Sequence, residues 1–384
     1  MAISRLSFER NPEISLAEKI GQINWGLVFV ITLIAAVGCA MLYSAAEGSI
    51  DPWASRQAVR FGAGLAVMFA AALIDVRIWF RYAYVIYFGA LSLLGAVEFV
   101  GTAGMGAQRW IDLGVIQLQP SEVMKVALVL ALARYFHGQG EEELVRPSAL
   151  LVPVALVMAP AALVLKQPDL GTAMMLVMAA GAVFFAAGVR LWMFAVAVAV
   201  AGAAVPIAWQ FLRDYQRQRV LTFLDPESDP LGSGYHILQS KIALGSGGLT
   251  GRGFLAGTQS HLSFLPEKQT DFIFTMLAEE FGMLGGLALL GLFFLLFVYG
   301  FAIALRSRNQ FGRILAVGLT ANLFLYVFIN IAMVMGLIPV VGVPLPLISY
   351  GGTAMLAVML AFGLVMSVWV HRDIRIPRRG AGDV

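Results

Sequence analysis

The sequence predicts an all-α polytopic membrane protein with ten transmembrane helices. The chain has 384 residues, of which 60% are hydrophobic and only 13% are charged. Soluble proteins carry about 25% charged residues, so this composition is typical of a membrane domain. Apolar runs near the length of a bilayer span recur along the whole chain. The single cysteine, Cys39, lies in one of these runs, which excludes a disulfide framework.

Ten apolar runs are the predicted spans, and most have the roughly 20 residues that a span needs. The fourth run is short and charged, and the eighth is long enough to tilt or to project beyond the bilayer. The first run is long enough to span and is therefore interpreted as a retained helix, with no cleavable signal peptide. The runs lie at 23–45, 57–74, 78–100, 121–136, 148–165, 170–188, 190–211, 271–305, 312–338 and 347–371. This pattern predicts an N-terminal segment (1–22), a membrane domain (23–371) and a C-terminal tail (372–384).

The distribution of arginine and lysine predicts that both termini are cytoplasmic, because short cytoplasmic loops are enriched in positive charge. The short loops on the opposite side hold only Arg56, Arg60, Arg109 and Lys166. Every polar segment that is more than a connector then faces outward. These segments are 101–120, 166–169, 338–346 and a large extracytoplasmic loop at 212–270, between the seventh and eighth helices.

An outward-facing site limits the possible chemistry, because nucleoside triphosphates are not available there. A substrate must arrive already activated, or the protein must move something across the membrane. No P-loop or dinucleotide-binding fingerprint is present. The four histidines are far apart and form no metal-ligand pattern. We therefore expect no required cofactor, no metal site and no nucleic-acid partner.

The large loop contains two recognisable features. Residues 235–244 have apolar residues at roughly helical spacing and predict a short amphipathic helix at the membrane interface. Gln239 and Lys241 on this helix are candidate substrate ligands. The next stretch, GSGGLTGRGF at 245–254, contains five glycines and predicts a tightly turning backbone.

Glu122 and Lys125 open the fourth span and, at i and i+3, share one helix face. The simplest interpretation of Glu122 is a capping ion pair near the interface. Lys125 is a stronger candidate for function, because a cation one turn inside the membrane should face a polar cavity or bind an anion.

Asp169 follows Lys-Gln-Pro at the start of another helix and is interpreted either as an N-cap or as part of a site. Arg109, beside Trp110, is either an interfacial anchor or a ligand. Each signal is weak by itself. Together they place Arg109, Glu122, Lys125, Asp169 and Asp271 at one membrane face, where they predict a single cavity.

Asp271 stands where a polar, acidic run meets the eighth span. It is predicted to cap that helix, a role that stabilises by about 1 kcal/mol. The alternative is a general base, because a carboxylate in a partly dry cleft can have its pKa raised toward neutrality. Glu279 and Glu280 point about 100° apart, so at most one is expected to line a cavity. Ser349, in the SYGGT run, is interpreted as a packing residue or a ligand.

Several long motifs in the chain resemble the SEDS (shape, elongation, division and sporulation) family, and its RodA branch rather than its FtsW branch. The motifs are QRWIDLGVIQLQPSEVMK, KQPDLGTA, QSKIALGSGGLTGRGF, GTQSHLSFLPEKQTDFIFTMLAEE and NIAMVMGLIPVVGVPLPLISYGGTA. GTQSHLSFLPE and GVPLPL are the RodA-like features. One departure is Lys268-Gln269, where the family often has an arginine-histidine pair, so no histidine role applies there.

The resemblance implies a bacterial cytoplasmic (inner) membrane protein that polymerises lipid II into glycan strands during cell elongation. It also implies a class B penicillin-binding protein, a transpeptidase, as partner, with other elongation-complex membrane proteins. Asp271 matches the family's essential aspartate, and Glu122, Lys125 and Asp169 match other important polar positions. Lipid II carries its own activation as undecaprenyl pyrophosphate, which agrees with a site that uses no nucleotide.

The resulting hypothesis makes Asp271, Lys125 and Glu122 catalytic. Asp271 is the general base, and Glu122 orients Lys125. Arg109, Asp169, Gln239, Lys241 and Ser349 are the expected substrate-binding residues. A divalent cation such as Mg²⁺ or Mn²⁺ is compatible with the leaving group, but the sequence does not require one. Two rival hypotheses are a lipid II flippase, which predicts an inward-opening polar path, and a scaffold that only holds a transpeptidase.

Overall fold

The computed structural model describes residues 15–104, 107–112, 114, 117–140, 142, 146–212, 214–225, 233–257 and 267–377. Most of the N-terminal segment, most of the GTQSHLSFLPE motif and the end of the tail lie outside these residues. The described chain is mainly helical. Its helices are α1 (Leu16–Gly21), α2 (Trp25–Ala45), α3 (Trp53–Leu73), α4 (Val76–Val100), α5 (Pro120–His137), α6 (Leu151–Lys166), α7 (Leu170–Ala187), α8 (Leu191–Phe211), α9 (Asp214–Leu224), α10 (Ser233–Ser246), α11 (Ile273–Arg306), α12 (Gln310–Val334) and α13 (Gly352–Val370).

A long helix overlaps each of the ten predicted spans. Seven described segments are both long and apolar enough to cross a bilayer, so the chain is a multi-pass membrane protein. They are Trp25–Ala45, Val76–Phe99, Pro147–Lys166, Leu170–Ala187, Ile273–Arg306, Gln310–Val334 and Gly352–Val370. Of the other three predicted spans, α3 and α5 carry charged residues, and the apolar part of α8 covers only Leu191–Ile207. The prediction of an apolar, helical membrane domain is confirmed in this coarser form.

The described chain is not entirely helical. Between α4 and α5 it forms β1 (Thr102–Gly104), β2 (Ala107–Asp112) and β3 (Gln117–Leu118). The strands are antiparallel and follow the order β1-β2-β3, with Thr102 opposite Trp110 and Ile111 opposite Leu118. The glycines of this segment disfavour a helix, whereas alternating residues such as Gln-Arg-Trp-Ile-Asp suit a strand.

The four segments predicted to share the outer face meet at one end of the helical bundle. The Thr353 hydroxyl at the start of α13 donates to the Gln117 carbonyl (2.5 Å). The Ser349 hydroxyl donates to the Thr270 carbonyl (2.6 Å), and Arg109 donates to the Pro168 carbonyl (2.6 Å). This end is called the Asp271 end below.

The connections predicted to be cytoplasmic meet at the opposite end of the bundle. Ser367 donates to the Ile74 carbonyl (2.8 Å), and the Trp369 indole donates to the Gln22 carbonyl (2.9 Å). Asn309 also donates to the Ile374 carbonyl (3.2 Å). The connections therefore alternate between two ends, as an up-and-down membrane bundle requires.

Helix α11 is interrupted at Gly282, whose backbone has φ 66° and ψ −164°. The unusual length of the eighth predicted span therefore comes from two helical pieces joined at a break. The first piece, Ile273–Phe281, is called the half-helix below. Both Glu279 and Glu280 at its end are fully buried, and Glu280 accepts a short hydrogen bond from Ser44 of α2.

The glycine-rich stretch after α10 fills this break. Arg252 and Gly253 donate their backbone N–H groups to the Glu279 and Glu280 carbonyls (3.1 and 2.9 Å). In the other direction, the Met283 and Leu284 N–H groups donate to the Gly248 and Leu249 carbonyls (2.9 and 3.1 Å). The break thus leaves these four backbone groups of α11 paired, which a membrane interior requires.

Two glycines permit this close approach. A Cβ at Gly247 would lie 2.1 Å from the Ala278 carbonyl oxygen, and one at Gly251 would lie 2.1 Å from the Glu280 carbonyl oxygen. Gly251 also has φ 82°, which disfavours other residues. We refer to the docked stretch 247–253 as the glycine clamp.

The helix predicted at 235–244 is present as α10. It packs against α11 and α12 as well as presenting an exposed face. Ile237 and Ala243 are buried, and Ser240 hydrogen-bonds to the Thr275 hydroxyl (2.8 Å) and to the Val334 carbonyl (2.7 Å). Helix α10 therefore holds the half-helix from the side while the glycine clamp holds its end.

Candidate active site

Asp271 lies immediately before α11, at the end of the bundle where the polar segments meet. Its predicted capping role is wrong. The N-cap residue is Phe272, and no side chain caps this helix. Residues 267–272 form turns, and the Met276 N–H of α11 donates to the Phe272 carbonyl (3.3 Å), so the helix begins one residue later than the sequence predicts. The carboxylate is therefore left available for other chemistry.

The backbone around Asp271 is fixed by its neighbours. Asn330 of α12 donates to the Asp271 carbonyl (3.0 Å) and to the Val343 carbonyl (2.7 Å). Tyr350 donates its N–H to the Gln269 carbonyl (2.8 Å). The Asp271 carboxylate also lies close to Gly342, since a Cβ added to Gly342 would be 3.3 Å from Asp271 Oδ2. The base candidate is thus held between α12 and the 338–351 loop.

The protein environment raises the pKa of Asp271 to about 6. Burial is the main cause, and the negative charge of Glu267 adds to it, while Arg219 of α9 acts in the opposite direction. Among the residues that the structure describes, no cation lies within ion-pair distance of this carboxylate. The side chain nevertheless keeps part of its surface open. A partly accessible carboxylate with this pKa is suited to accept a proton near neutral pH.

Glu122 and Lys125 form the ion pair that their spacing predicts, with 2.7 Å between Lys125 Nζ and Glu122 Oε1. Both side chains are buried. Tyr326 of α12 completes the cluster: its hydroxyl donates a short hydrogen bond to Glu122, and its ring lies 4.2 Å from Lys125 Nζ. A buried charge pair needs such additional contacts to offset the loss of water. The positive charge of Lys125 is therefore balanced by Glu122, and its position is fixed by both Glu122 and Tyr326.

Asp169 does cap a helix. One of its oxygens accepts from the Thr172 N–H (3.1 Å) and the other from the Thr172 hydroxyl (2.9 Å). Arg109 lies 3.6 Å from the same carboxylate and also donates to the Pro168 carbonyl. Arg109 and Asp169 thus tie the small sheet to the start of α7.

Helix α7 also contacts the loop that borders Asp271. A Cβ at Gly171 would lie 2.3 Å from a Val341 methyl group, and Val341 precedes the Gly342 that touches the Asp271 carboxylate. These contacts link Arg109 and Asp169 to the loop beside Asp271. The two clefts described next are not lined by Arg109, Lys125, Asp169 or Asp271, so a single cavity shared by the five residues stays a prediction.

Two narrow clefts border the Glu122 cluster and share Tyr326 and Val358 as lining residues. The larger one descends between α2, α5, α11, α12 and α13 and has space for roughly one water molecule. Asn322, in its wall, has a buried side-chain oxygen with no hydrogen-bond partner among the described residues. Tyr326 therefore borders both clefts as well as holding Glu122.

The remaining predicted ligands have distinct positions. Lys241 is exposed on α10, and its Cε and Nζ lie against Gly336 at the end of α12. Gln239 is half-buried, and its side-chain oxygen is without a hydrogen-bond partner in the described part of the chain. The Ser349 hydroxyl accepts from the Leu345 N–H (2.7 Å) and donates to the Thr270 carbonyl. Ser349 thus joins the loop to the Asp271 turn, and its role as a ligand stays a prediction.

Three residues at the site were not identified from the sequence: Tyr326, Arg219 and Glu267. Tyr326 precedes Asn330 by one helical turn, so the shared face of α12 was the signal that could have identified it. Arg219 gave no such signal, because its relation to Asp271 depends on how α9 folds back. Within the described residues, no group of three or more His, Cys, Asp or Glu side chains is arranged to hold a metal ion.

Comparison with known proteins agrees with this arrangement. Residues 22–374 match the FtsW/RodA/SpoVE family model, which is described as cell cycle protein. The peptidoglycan glycosyltransferase MrdB of Escherichia coli K12 is 47% identical over 350 residues, covering 90% of this chain and 94% of the relative.

Two solved structures are also similar. One chain of a peptidoglycan synthase complex matches with a TM-score of 0.79 at 35% identity, covering 91% of this chain and 98% of that chain. The rod shape determining protein RodA of Thermus thermophilus matches with a TM-score of 0.69 at 30% identity, covering 91% and 97%.

Proposed function

The chain belongs to the FtsW/RodA/SpoVE family, and we propose on that basis that it is a peptidoglycan glycosyltransferase of the RodA type. It polymerises lipid II into glycan strands at the outer face of the bacterial cytoplasmic membrane during cell elongation. The observation that carries this proposal is Asp271. Its carboxylate is partly accessible and caps no helix, and the pKa is raised to about 6.

In the proposed reaction, Asp271 takes the proton from the 4-hydroxyl of the acceptor sugar. The oxygen of that hydroxyl attacks the anomeric carbon of the donor, and the bond from that carbon to undecaprenyl pyrophosphate breaks. The pyrophosphate leaves with the electron pair, and the anomeric configuration is inverted. Positive charge developing at the anomeric carbon and negative charge on the leaving group both need stabilisation.

Arg109, Lys125 and Lys241 are the proposed partners of the pyrophosphate. Lys125 is held by Glu122 and Tyr326, so its ammonium is oriented but already paired. Arg109 and Lys241 are more accessible. Asp169, Gln239 and Ser349 are proposed to contact the sugars or to position the groups that do. A divalent cation, Mg²⁺ or Mn²⁺, stays an optional addition that would neutralise pyrophosphate charge.

We extend the proposal to topology and partners. Ten spans with both termini cytoplasmic would place Asp271 outside, which agrees with the alternation of connections between the two ends of the bundle. A class B penicillin-binding protein is the proposed transpeptidase partner. This is supported by the similarity to a chain from a peptidoglycan synthase complex.

The test uses the purified protein in detergent or vesicles with lipid II, alone and with the transpeptidase. The product is scored for glycan polymer by gel electrophoresis. We expect polymer from the natural chain and a rate at least about 100-fold lower from Asp271→Asn, which keeps the shape of the side chain but cannot accept the proton. Wild-type rates from Asp271→Asn would remove the base assignment. Lipid II movement without polymer would favour the flippase, and neither activity would favour the scaffold.

A further inference from the structure

A basic groove lies at the end of the bundle opposite Asp271, far from the proposed chemistry. It has a volume of about 490 Å³. Three regions of the chain contribute to it: the turn before α2, the end of α11 and the end of α13. Its lining residues are Gly21, Gln22, Ile23, Asn24, Trp25, Arg306, Trp369 and Arg372. We call it the basic groove.

Two arginines of the groove share one aromatic ring. The guanidinium carbon of Arg306 lies 5.4 Å from the centre of the Trp369 ring, and that of Arg372 lies 4.7 Å from it. The ring is fixed, because its N–H donates to the Gln22 carbonyl (2.9 Å). Arg372 also donates to the Trp369 carbonyl (3.0 Å). Both cations are therefore held at the groove.

The positive charge of the groove is poorly compensated. In the part of the chain that the structure describes, no carboxylate lies within ion-pair distance of Arg306. Arg372 is 3.9 Å from Asp373, but that carboxylate is exposed and lies closer to Arg308 (3.2 Å). Both arginines line the groove, and a bound anion would offset the positive charge that they bring to it. Arginine is well suited to bind the planar oxygen pairs of a phosphate.

The surroundings of the groove are apolar and exposed. The Trp25 side chain is 56% exposed, and Leu305, next to Arg306, is 80% exposed. Tryptophan and arginine are enriched where a membrane meets water. Basic sites between transmembrane helices on the cytoplasmic side bind anionic lipid headgroups. A soluble anion would use the arginines only, whereas a lipid would also cover these apolar side chains.

We propose that the basic groove binds one anionic phospholipid of the surrounding leaflet. The headgroup phosphate lies between Arg306 and Arg372, and the acyl chains extend along the exposed apolar surface beside Trp25 and Leu305. The site is separate from the reaction at Asp271, so failure of the test below would leave the proposed glycosyltransferase activity untouched. The position of the groove on the cytoplasmic side rests on the topology proposed above.

The test measures lipid retention by native mass spectrometry of the detergent-solubilised full chain. Dioleoyl phosphatidylglycerol and dioleoyl phosphatidylcholine are added in equal amounts. We expect one phosphatidylglycerol to be retained preferentially by the natural chain. In the double variant R306Q/R372Q, the ratio of retained phosphatidylglycerol to retained phosphatidylcholine should be roughly tenfold to thirtyfold lower. This is the effect expected of two arginines at an anionic surface.

A matched control removes the same charge elsewhere. Arg190 and Arg313 are exposed at connections predicted to face the same side but do not line the groove. R190Q/R313Q should retain the lipid as the natural chain does. An equal loss in both double variants would show general charge attraction and overturn the proposal, as would no preference for phosphatidylglycerol in the natural chain.

Two further arms separate the remaining explanations. R306K/R372K keeps the charge and guards against misfolding of the glutamine variant, and it should recover part of the preference. Soluble glycerol 3-phosphate in excess should not displace the lipid, because the acyl chains contribute to binding. Full displacement would show a site for small anions and would contradict the lipid assignment.

Discussion

Asp169 and Asp271 lie at the same end of the molecule, and each is the last residue of nearly the same sequence, Lys-Gln-Pro-Asp and Lys-Gln-Thr-Asp. The structure uses them in opposite ways. Asp169 caps α7 with one oxygen, accepts from the Thr172 hydroxyl with the other, and has Arg109 beside it. Asp271 caps nothing and faces Gly342, and the charge of Glu267 acts on it more strongly than that of Arg219. The partners of a carboxylate, and not its local sequence, therefore decide whether it caps a helix or stays available to accept a proton.

The largest expected effect tests this division of roles directly. D271A should lower the polymerisation rate by about 10²–10⁴-fold, the range for loss of a general base, with almost no change in the free energy of unfolding. D169A should lower the rate much less than D271A does, because Asp169 takes no proton in the proposed reaction, and about 1 kcal/mol of stability should be lost with the cap. Rate assays and thermal unfolding of both variants decide it, and an exchange of the two outcomes would refute the comparison.

A third carboxylate, Glu122, sharpens the comparison because it is buried with a dedicated cation. K125M leaves Glu122 buried without its cation and with only the Tyr326 hydroxyl as a partner, so we expect a loss of about 3–5 kcal/mol in unfolding free energy. K166M is the matched control. Lys166 forms an ion pair of the same length with Glu98 (2.7 Å), but the lysine is 69% exposed, and exposed pairs are worth about 0–1 kcal/mol. Similar losses in both would mean that burial of the pair is unimportant.

A smaller effect is expected from moving Asp271 without changing it. G251A places a methyl group against the Glu280 carbonyl at a residue with positive φ, so the glycine clamp must shift at a cost of about 1–3 kcal/mol. The half-helix and its aspartate should shift with it, lowering kcat. The control is G291A, farther along α11. Its new methyl group meets open space, so this variant should behave as the natural chain. Equal kcat in both variants would show that the clamp does not position Asp271.

The smallest effects concern the pH dependence of the rate. The base must be deprotonated to act, so the rate should fall as the pH drops through about 6, the raised pKa of Asp271. R219Q removes a positive charge that lowers this pKa, and the fall should move to higher pH. E267Q removes a negative charge that raises it, and the fall should move to lower pH. Each shift should be less than about one unit.

R217Q is the control for the pH series, because Arg217 lies on the same helix and donates to the Trp209 and Gln210 carbonyls. Its pH profile should match that of the natural chain. A profile that moves in the same direction for R219Q and E267Q would show that another group controls the rate.

Features that depend on local spacing or composition were predictable from the sequence. The apolar runs gave the positions of the long helices, and the i, i+3 spacing gave the Glu122–Lys125 pair. The helix at 235–244 followed from its apolar periodicity. In each case the relevant residues are near neighbours in the chain, so their geometry is fixed by the helix itself.

Features that depend on distant parts of the chain were not predictable. The break at Gly282 was hidden, since a glycine inside an apolar run is compatible with a continuous helix until the glycine clamp docks on it. Tyr326 joins the Glu122 cluster only because α12 packs against α5. The capping assignment of Asp271 failed because residues 267–272 form turns and the helix begins one residue later than the local sequence indicates.

The break in α11 also bears on how the protein is inserted into the membrane. A lone α11 cannot enter lipid in its broken form, because its unpaired carbonyl and N–H groups would cost several kcal/mol each. It must either insert as an unbroken helix that breaks later, or insert with residues 247–253 already docked on the break. That stretch precedes α11 in the chain and has left the ribosome first. Correct biogenesis of this span therefore depends on a segment that is not part of it, so a clamp variant should be more sensitive to membrane proteolysis during synthesis than after assembly.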